Sequence, residues 1–215
     1  HHLRVERRHA FQPAVGNWFQ EPDGGLGSLF REINSGLLPR VNNQPLAALQ
    51  QIYMGIDANK AVANTYGLPL IAYEGGQELS TAGNEPFKAN AQNLFAAANR
   101  DARMGAAYTA MFNYWKQAGG GLFTVYDSTA VYSATRGNSA LLEYQGQPRA
   151  QAPKYDAALS FISANNCWWA GCSAVGAPAA PISVSVVAGS GRVTVTFGVP
   201  ASNGGGAITG YTASC

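Results

Sequence analysis

The chain has 215 residues, 47% hydrophobic and 12% charged, enough for one sizeable domain and a smaller one. Fourteen basic against 12 acidic residues leave a formal charge of +2, which gives no electrostatic case for nucleic acid or an anionic membrane as partner. Apolar runs are all shorter than the roughly 18 residues of a membrane span, so no membrane insertion is expected.

Residues 1–16 are an uncertain N-terminal edge. "HHLRVERRHA" holds all three histidines with Arg4, Arg7 and Arg8, and no Cys or acid at ligand spacing that would make a metal site, so neither metal nor cofactor is expected. Residues 17–40 mix turn signals with a short apolar set and predict a loop followed by a short helix. From Gln44 to Thr65, Leu46, Leu49, Ile52/Tyr53, Ile56 and Ala63 recur on one helical face, with Pro45 near the start and Gly67 past the end. This helix feeds into "LPLIAYEGGQ", an apolar run of strand length that ends on Tyr73 and Glu74 before Gly75-Gly76. An ionised carboxylate is costly to bury, so an acid closing a core strand stands at a surface, in an ion pair, or at a site.

A polar loop over 80–87 follows, then a helical region broken near Asn99-Arg100-Asp101. Beyond the break, Met104, Tyr108, Met111/Phe112 and Trp115 line a face that Gly119-Gly120-Gly121 ends. "LFTVYD" is a second short strand, closing on Tyr126 and Asp127. A polar loop with Arg136-Gly137-Asn138 leads to "ALLEY", a candidate third strand, and Pro153 opens a helix carrying Tyr155, Ala158, Leu159 and Ile162. The order helix, strand, helix, strand, helix predicts parallel βα units, whose strands are buried and whose C-terminal ends carry the site. Glu74 and Asp127 both fall at that end.

Cys167 and Cys172 enclose "WWAG", a spacing suited to a local disulfide; a zinc site would need further ligands nearby. An oxidised pair implies an extracytoplasmic location. Residues 174–180 are an Ala/Pro linker. After it "ISVSVVA", "RVTVTF" and "AITGYTASC" alternate with period two between Gly-rich turns, the start of a β-sandwich and too few strands to close one.

"PAAPISVSVVAGSGRVTVTFGVPASNGGGAITGYTASC" closely resembles the first three strands of bacterial fibronectin type III modules, so residues 181–215 are expected to be an incomplete module of that kind. In related modules a Cys ending the third strand can pair with one further along, which would leave Cys215 without its partner here. Residues 44–164, within a domain taken as 17–173, resemble the C-terminal part of a clan A glycoside hydrolase (β/α)8 barrel: "LPLIAYEGGQ" as strand seven, "GGGLFTVYD" as strand eight, and "ALLEYQGQ…PKYDAALSFI" as closing loop and last helix. The family often carries His where this chain has Glu78. The fold class expected is therefore α/β, a partial (β/α)8 barrel plus a truncated all-β fibronectin type III-like segment.

Retaining glycosidases place two carboxyls about 5–5.5 Å apart, one attacking the anomeric carbon and one protonating the leaving oxygen. The resemblance implies that Glu74 is the nucleophile, with Tyr73, Gln77, Tyr126 and Asp127 lining the sugar cleft. It also implies a secreted or cell-surface protein with a polysaccharide or oligosaccharide as partner. The acid/base residue of this clan comes from strand four as Asn-Glu; Asn84-Glu85 has the letters but follows strand seven in a polar loop. A complete barrel takes about 250 residues, more than precede the linker, so the chain reads as a fragment, inactive by itself, with exposed strand edges. The alternative is a non-catalytic carbohydrate-binding or adhesive protein.

Plainer roles stay open for each residue. Glu74 can pair with Arg100 or Arg103, and Glu78 can be a solvated loop acid. Asp127 can cap the turn at Ser128. Trp115 suits the core, Trp168 and Trp169 suit sugar stacking or packing of the last helix, and Trp18 is undecided.

Overall fold

In a computed structural model, the protein is described over residues 18–37, 39–41, 44–77, 79, 88–132, 139–165, 167–172, 178–204 and 208–214. The N-terminal edge 1–16, Glu78, Asn84-Glu85, Arg136-Gly137-Asn138, most of the linker and Cys215 lie outside these residues. Two units divide the chain, His1–Ala170 and Gly171–Cys215.

The first unit is mixed α/β. A 3-10 turn at Trp18–Gln20 precedes α1 (Leu26–Asn34). Asp23 starts this helix: its carboxylate accepts from the Gly25 and Gly27 N–H groups at 3.0 and 2.7 Å, satisfying first-turn donors. Those bonds hold the Asp23 carboxyl below the usual carboxylate range. Leu29, Phe30 and Ile33 form the buried stripe of α1, and Trp18 packs at the margin of the same core. A short antiparallel pair, β1 (Pro39–Val41) and β2 (Gln44–Pro45), leads to α2 (Ala48–Thr65). Gly67, at φ +63°, ends α2 by letting Leu68 N–H return to Ala63 O at 2.9 Å.

The chain then enters β3 (Ala72–Gly75), crosses through α3 (Lys88–Arg100) and α4 (Ala102–Gln117), and returns as β4 (Phe123–Val125), parallel to β3. Asp101 divides the two helices as the N-cap of α4, its side chain accepting from Arg103 N–H. The break expected at 99–101 is thus a capped helix start. The pairing runs past the strand ends: Gly121 N–H donates to Leu70 O, Ala72 N–H to Leu122 O and Tyr126 N–H to Gly75 O, at 2.8, 2.9 and 2.9 Å. Met104, Tyr108, Met111, Phe112 and Trp115 are buried along α4, which joins α1, α3 and α5 (Pro153–Ala164) in the core behind the strands.

The third strand expected at "ALLEY" is only a parallel bridge between Thr129 and Leu142. Leu141 N–H and Leu142 N–H donate to Asp127 O and Ser128 O, but the Glu143 N–H then donates to Gln147 Oε1 at 2.7 Å and the chain turns away. Cys167 and Cys172 are disulfide-bonded.

In the second unit, β5 (Ile182–Gly189) and β6 (Arg192–Gly198) form an antiparallel hairpin. The period-two residues expected in a third strand do not continue the sheet: 208–214 are outside any strand, and Tyr211 instead sets its ring 4.7 Å from that of Phe197. Among the described residues, no helix is long and apolar enough to cross a membrane.

Candidate functional site

Glu74 and Asp127 come to the same end of one parallel pair, as the βα order predicts. Between Ala72, paired with Phe123, and Gly75, paired with Val125, β3 advances three residues while β4 advances two. The extra residue falls at Tyr73–Glu74 and forms an irregularity of the bulge type, which re-aims side chains at a strand end. Ala72 is buried, Tyr73 is 63% exposed and Glu74 is half-buried, so the acid stands at the boundary between core and solvent. Tyr126 is also exposed, at 41%, just past the end of the neighbouring strand. The Tyr126–Asp127 peptide is cis. Asp127, half-buried, accepts at Oδ1 from the N–H of the next residue, Ser128.

The two arginines proposed as partners for Glu74 are bound elsewhere. Arg100 forms a fork with Glu143, through Nε at 2.8 Å and through Nη2, and Arg103 forms one with Asp101 at 2.9 and 2.7 Å. Carboxylate bonding raises both guanidinium pKa values.

Gly75 and Gly76 serve the protein's own aromatic rings. A Cβ on Gly75 would lie 2.2 Å from the Phe123 ring, and one on Gly76, at φ +129°, 2.9 Å from Tyr108 Oη. The space over them is filled from β4 and α4. Gly75→Ala is accordingly expected to lower stability by about 1–3 kcal/mol through displacement of Phe123. Denaturant midpoints check this, and an unchanged midpoint would contradict the contact.

Gln77 turns back to the protein at both ends of its side chain. Its Nε2 donates to Asn99 Oδ1 at 2.7 Å, its Oε1 accepts from Leu79 N–H at 2.6 Å, and its own N–H donates to Tyr108 Oη at 3.2 Å. Asn99 Oδ1 also accepts from Lys154 Nζ at 2.6 Å, and Asn99 Nδ2 donates to Phe95 O. Asn99 and Lys154 are both 0% exposed. Burial drives the Lys154 amine pKa well down, partly offset by the Glu143 charge. Lys154 Nζ lies 4.6 Å from the centre of the Tyr132 ring, which Arg100 also approaches at 5.5 Å. Tyr132 is pushed up to about 12, chiefly by burial, and Tyr108 is raised by burial as well.

Sequence reasoning missed this polar network. Its one local signal is a lysine directly after Pro153, in the first turn of α5, where the helix dipole disfavours a cation.

The tryptophans divide cleanly. Trp115 is core, 2% exposed, with Nε1 donating to Gly121 O at 2.9 Å. Trp168 donates to Gly120 O at 2.8 Å and packs edge-on against Phe161 of α5 and Trp169, at 5.5 and 4.6 Å. No group of three or more metal-ligating side chains occurs among the described residues. No family model, curated protein or solved structure matches the chain.

Proposed function

We propose that the chain is the C-terminal part of a secreted retaining glycoside hydrolase of the clan A barrel type, acting on a polysaccharide and followed by the start of a fibronectin type III module. Glu74 is its nucleophile. The observation that carries this reading is the placement of Glu74 in an irregular strand end, at the same end as Tyr126 and Asp127, which directly follow the parallel neighbour. In such an enzyme the Glu74 carboxylate attacks the anomeric carbon to form a glycosyl ester, and the leaving oxygen takes its proton from a second carboxyl supplied by an earlier strand. Tyr73 and Tyr126 are exposed aromatic residues at these strand ends, suited to sugar contact, and Asp127 and Gln77 border the same strand ends. The Cys167–Cys172 disulfide supports an oxidising compartment.

The test is a fluoro-sugar trap on the full-length parent protein. Peptide mapping is expected to find the label on Glu74, and Glu74→Ala to lower turnover by about 10⁴-fold. The 215-residue chain alone is expected to hydrolyse nothing; measurable turnover by it would overturn the fragment reading. The exposure of Tyr73 and Tyr126 also favours a second reading, carbohydrate binding without chemistry. Saturable glycan binding with neither label nor turnover selects it.

A further inference from the structure

We propose that Lys154 is a positioning residue for the strand end that carries Glu74, acting through Asn99 on Gln77 and, through Gln77, on the Leu79 N–H; its bearing on catalysis rests on the Glu74 reading above, its structural link does not. The geometry is a relay between three elements. Lys154 comes from the first turn of α5, Asn99 from the last turn of α3, and Gln77 from the chain just beyond β3. One acceptor, Asn99 Oδ1, receives both Lys154 Nζ at 2.6 Å and Gln77 Nε2 at 2.7 Å, while Asn99 Nδ2 is tied to its own helix at Phe95 O. That second bond fixes which end of the Asn99 amide faces the relay, so Oδ1 must present two lone pairs to two donors. Gln77 then passes the constraint to the backbone: its Oε1 holds the Leu79 N–H, and its own N–H is held by Tyr108.

A lysine is an expensive donor to place in a buried site. It loses hydration and side-chain entropy, and it stands at the unfavourable end of a helix dipole. A methionine of similar length would fill the same space. The amine is the element that gives the relay its fixed end, since it is 0% exposed and capped on one side by the Tyr132 ring. Burial favouring the neutral amine agrees with a donor role in which no charge is required. Among the described residues, the charged and titratable groups around it include Glu143 from the segment before α5, Arg100 at the end of α3, Tyr132, and Tyr108 of α4 reached through Gln77.

The experiment uses the 215-residue chain and needs no substrate. In Lys154→Met, amide hydrogen exchange at Gln77 and Leu79 is expected to rise at least tenfold more than at Phe112 and Trp115, which report the α4 core. Gln77→Met should free the Leu79 amide to the same extent, and the double variant should add nothing further. Exchange at Gln77 and Leu79 that rises only in step with α4, or effects of the two substitutions that multiply, would overturn the proposal. Should Lys154→Met fail to fold, the wild-type chain decides: ¹⁵N detection of Lys154 Nζ during a pH titration is expected to show the Gln77 side-chain amide moving with the same midpoint, and a Lys154 transition without any response at Gln77 refutes the relay. In the full-length parent, Lys154→Met should slow fluoro-sugar labelling of Glu74 about tenfold without changing its pH optimum. Absence of label in the wild-type parent would count against the Glu74 reading alone, because the exchange result stands independently of it.

Discussion

Trp115→Ala is expected to cost about 3–5 kcal/mol, the range for removing a fully buried large aromatic side chain. The indole is 2% exposed and sits among Ile56, Ala63, Leu70 and Ala72, edge-on to Phe123 with ring centres 5.3 Å apart. It therefore joins α2, the entry to β3 and β4 in one cluster, and the strand pair bearing Glu74 and Asp127 is built against it. Its Nε1 donates to Gly121 O, so alanine also leaves a carbonyl without its donor. Gly120 is fitted to the same ring, since a Cβ there would lie 2.2 Å from the indole. A domain is stable by only about 5–15 kcal/mol, which makes this loss a large fraction of the total. Urea unfolding followed by circular dichroism measures it. A loss below about 1 kcal/mol would mean that the cluster does not hold the strands as described.

The second large effect is on how stability changes with pH, and Lys154 sets its sign. Its pKa is well below the ordinary 10.5 in the folded protein and ordinary in the unfolded chain. Between those two values the unfolded chain binds the extra proton, so wild-type stability rises with pH across that interval and levels off below it. For one proton the slope is at most about 1.4 kcal/mol per pH unit. Tyr132, raised to about 12, and Tyr108, also raised, act in the opposite sense: their stabilisation is full below 10 and is lost as pH rises above it. Both tyrosines remain in Lys154→Met, so the difference between wild type and variant isolates the lysine. Denaturant midpoints from pH 6 to 9.5 are expected to show wild type gaining on Lys154→Met as pH rises. A difference that stays flat over that range would show that Lys154 keeps its proton in the fold.

Much of the local structure was legible in the residues. Gly67, Asp101 and Pro153 mark real helix ends because each acts on backbone within a turn of itself, by a left-handed φ, a side-chain cap and a preset φ respectively. The α4 stripe was legible for the same reason, since helical spacing alone brings Met104, Tyr108, Met111 and Trp115 to one face. "ALLEY" and "AITGYTASC" misled because an apolar run offers a strand but supplies no neighbour to pair with. Leu142 finds one bridge before Gln147 captures the Glu143 N–H, and residues 208–214 pair with nothing in a ladder.

The candidate site divides along the same line. From order alone, two strands joined through helices run parallel, and this places Glu74 and Asp127 together at their C-terminal ends. Composition and spacing likewise determined the Cys167–Cys172 loop, which closes over too few residues to need any long-range contact. Only the tertiary structure decided what surrounds the acids. Phe123 and Tyr108, 48 and 32 residues beyond the glycines they pack against, fill the space beside Gly75-Gly76. Arg100 turns to Glu143, and Lys154 reaches Asn99 and through it Gln77. A local pattern fixes which way the backbone runs and which face a residue takes. The partner of a buried charge or amide is chosen by whichever distant donor or acceptor the packed helices bring within about 3 Å, and that choice is made only when the chain is folded.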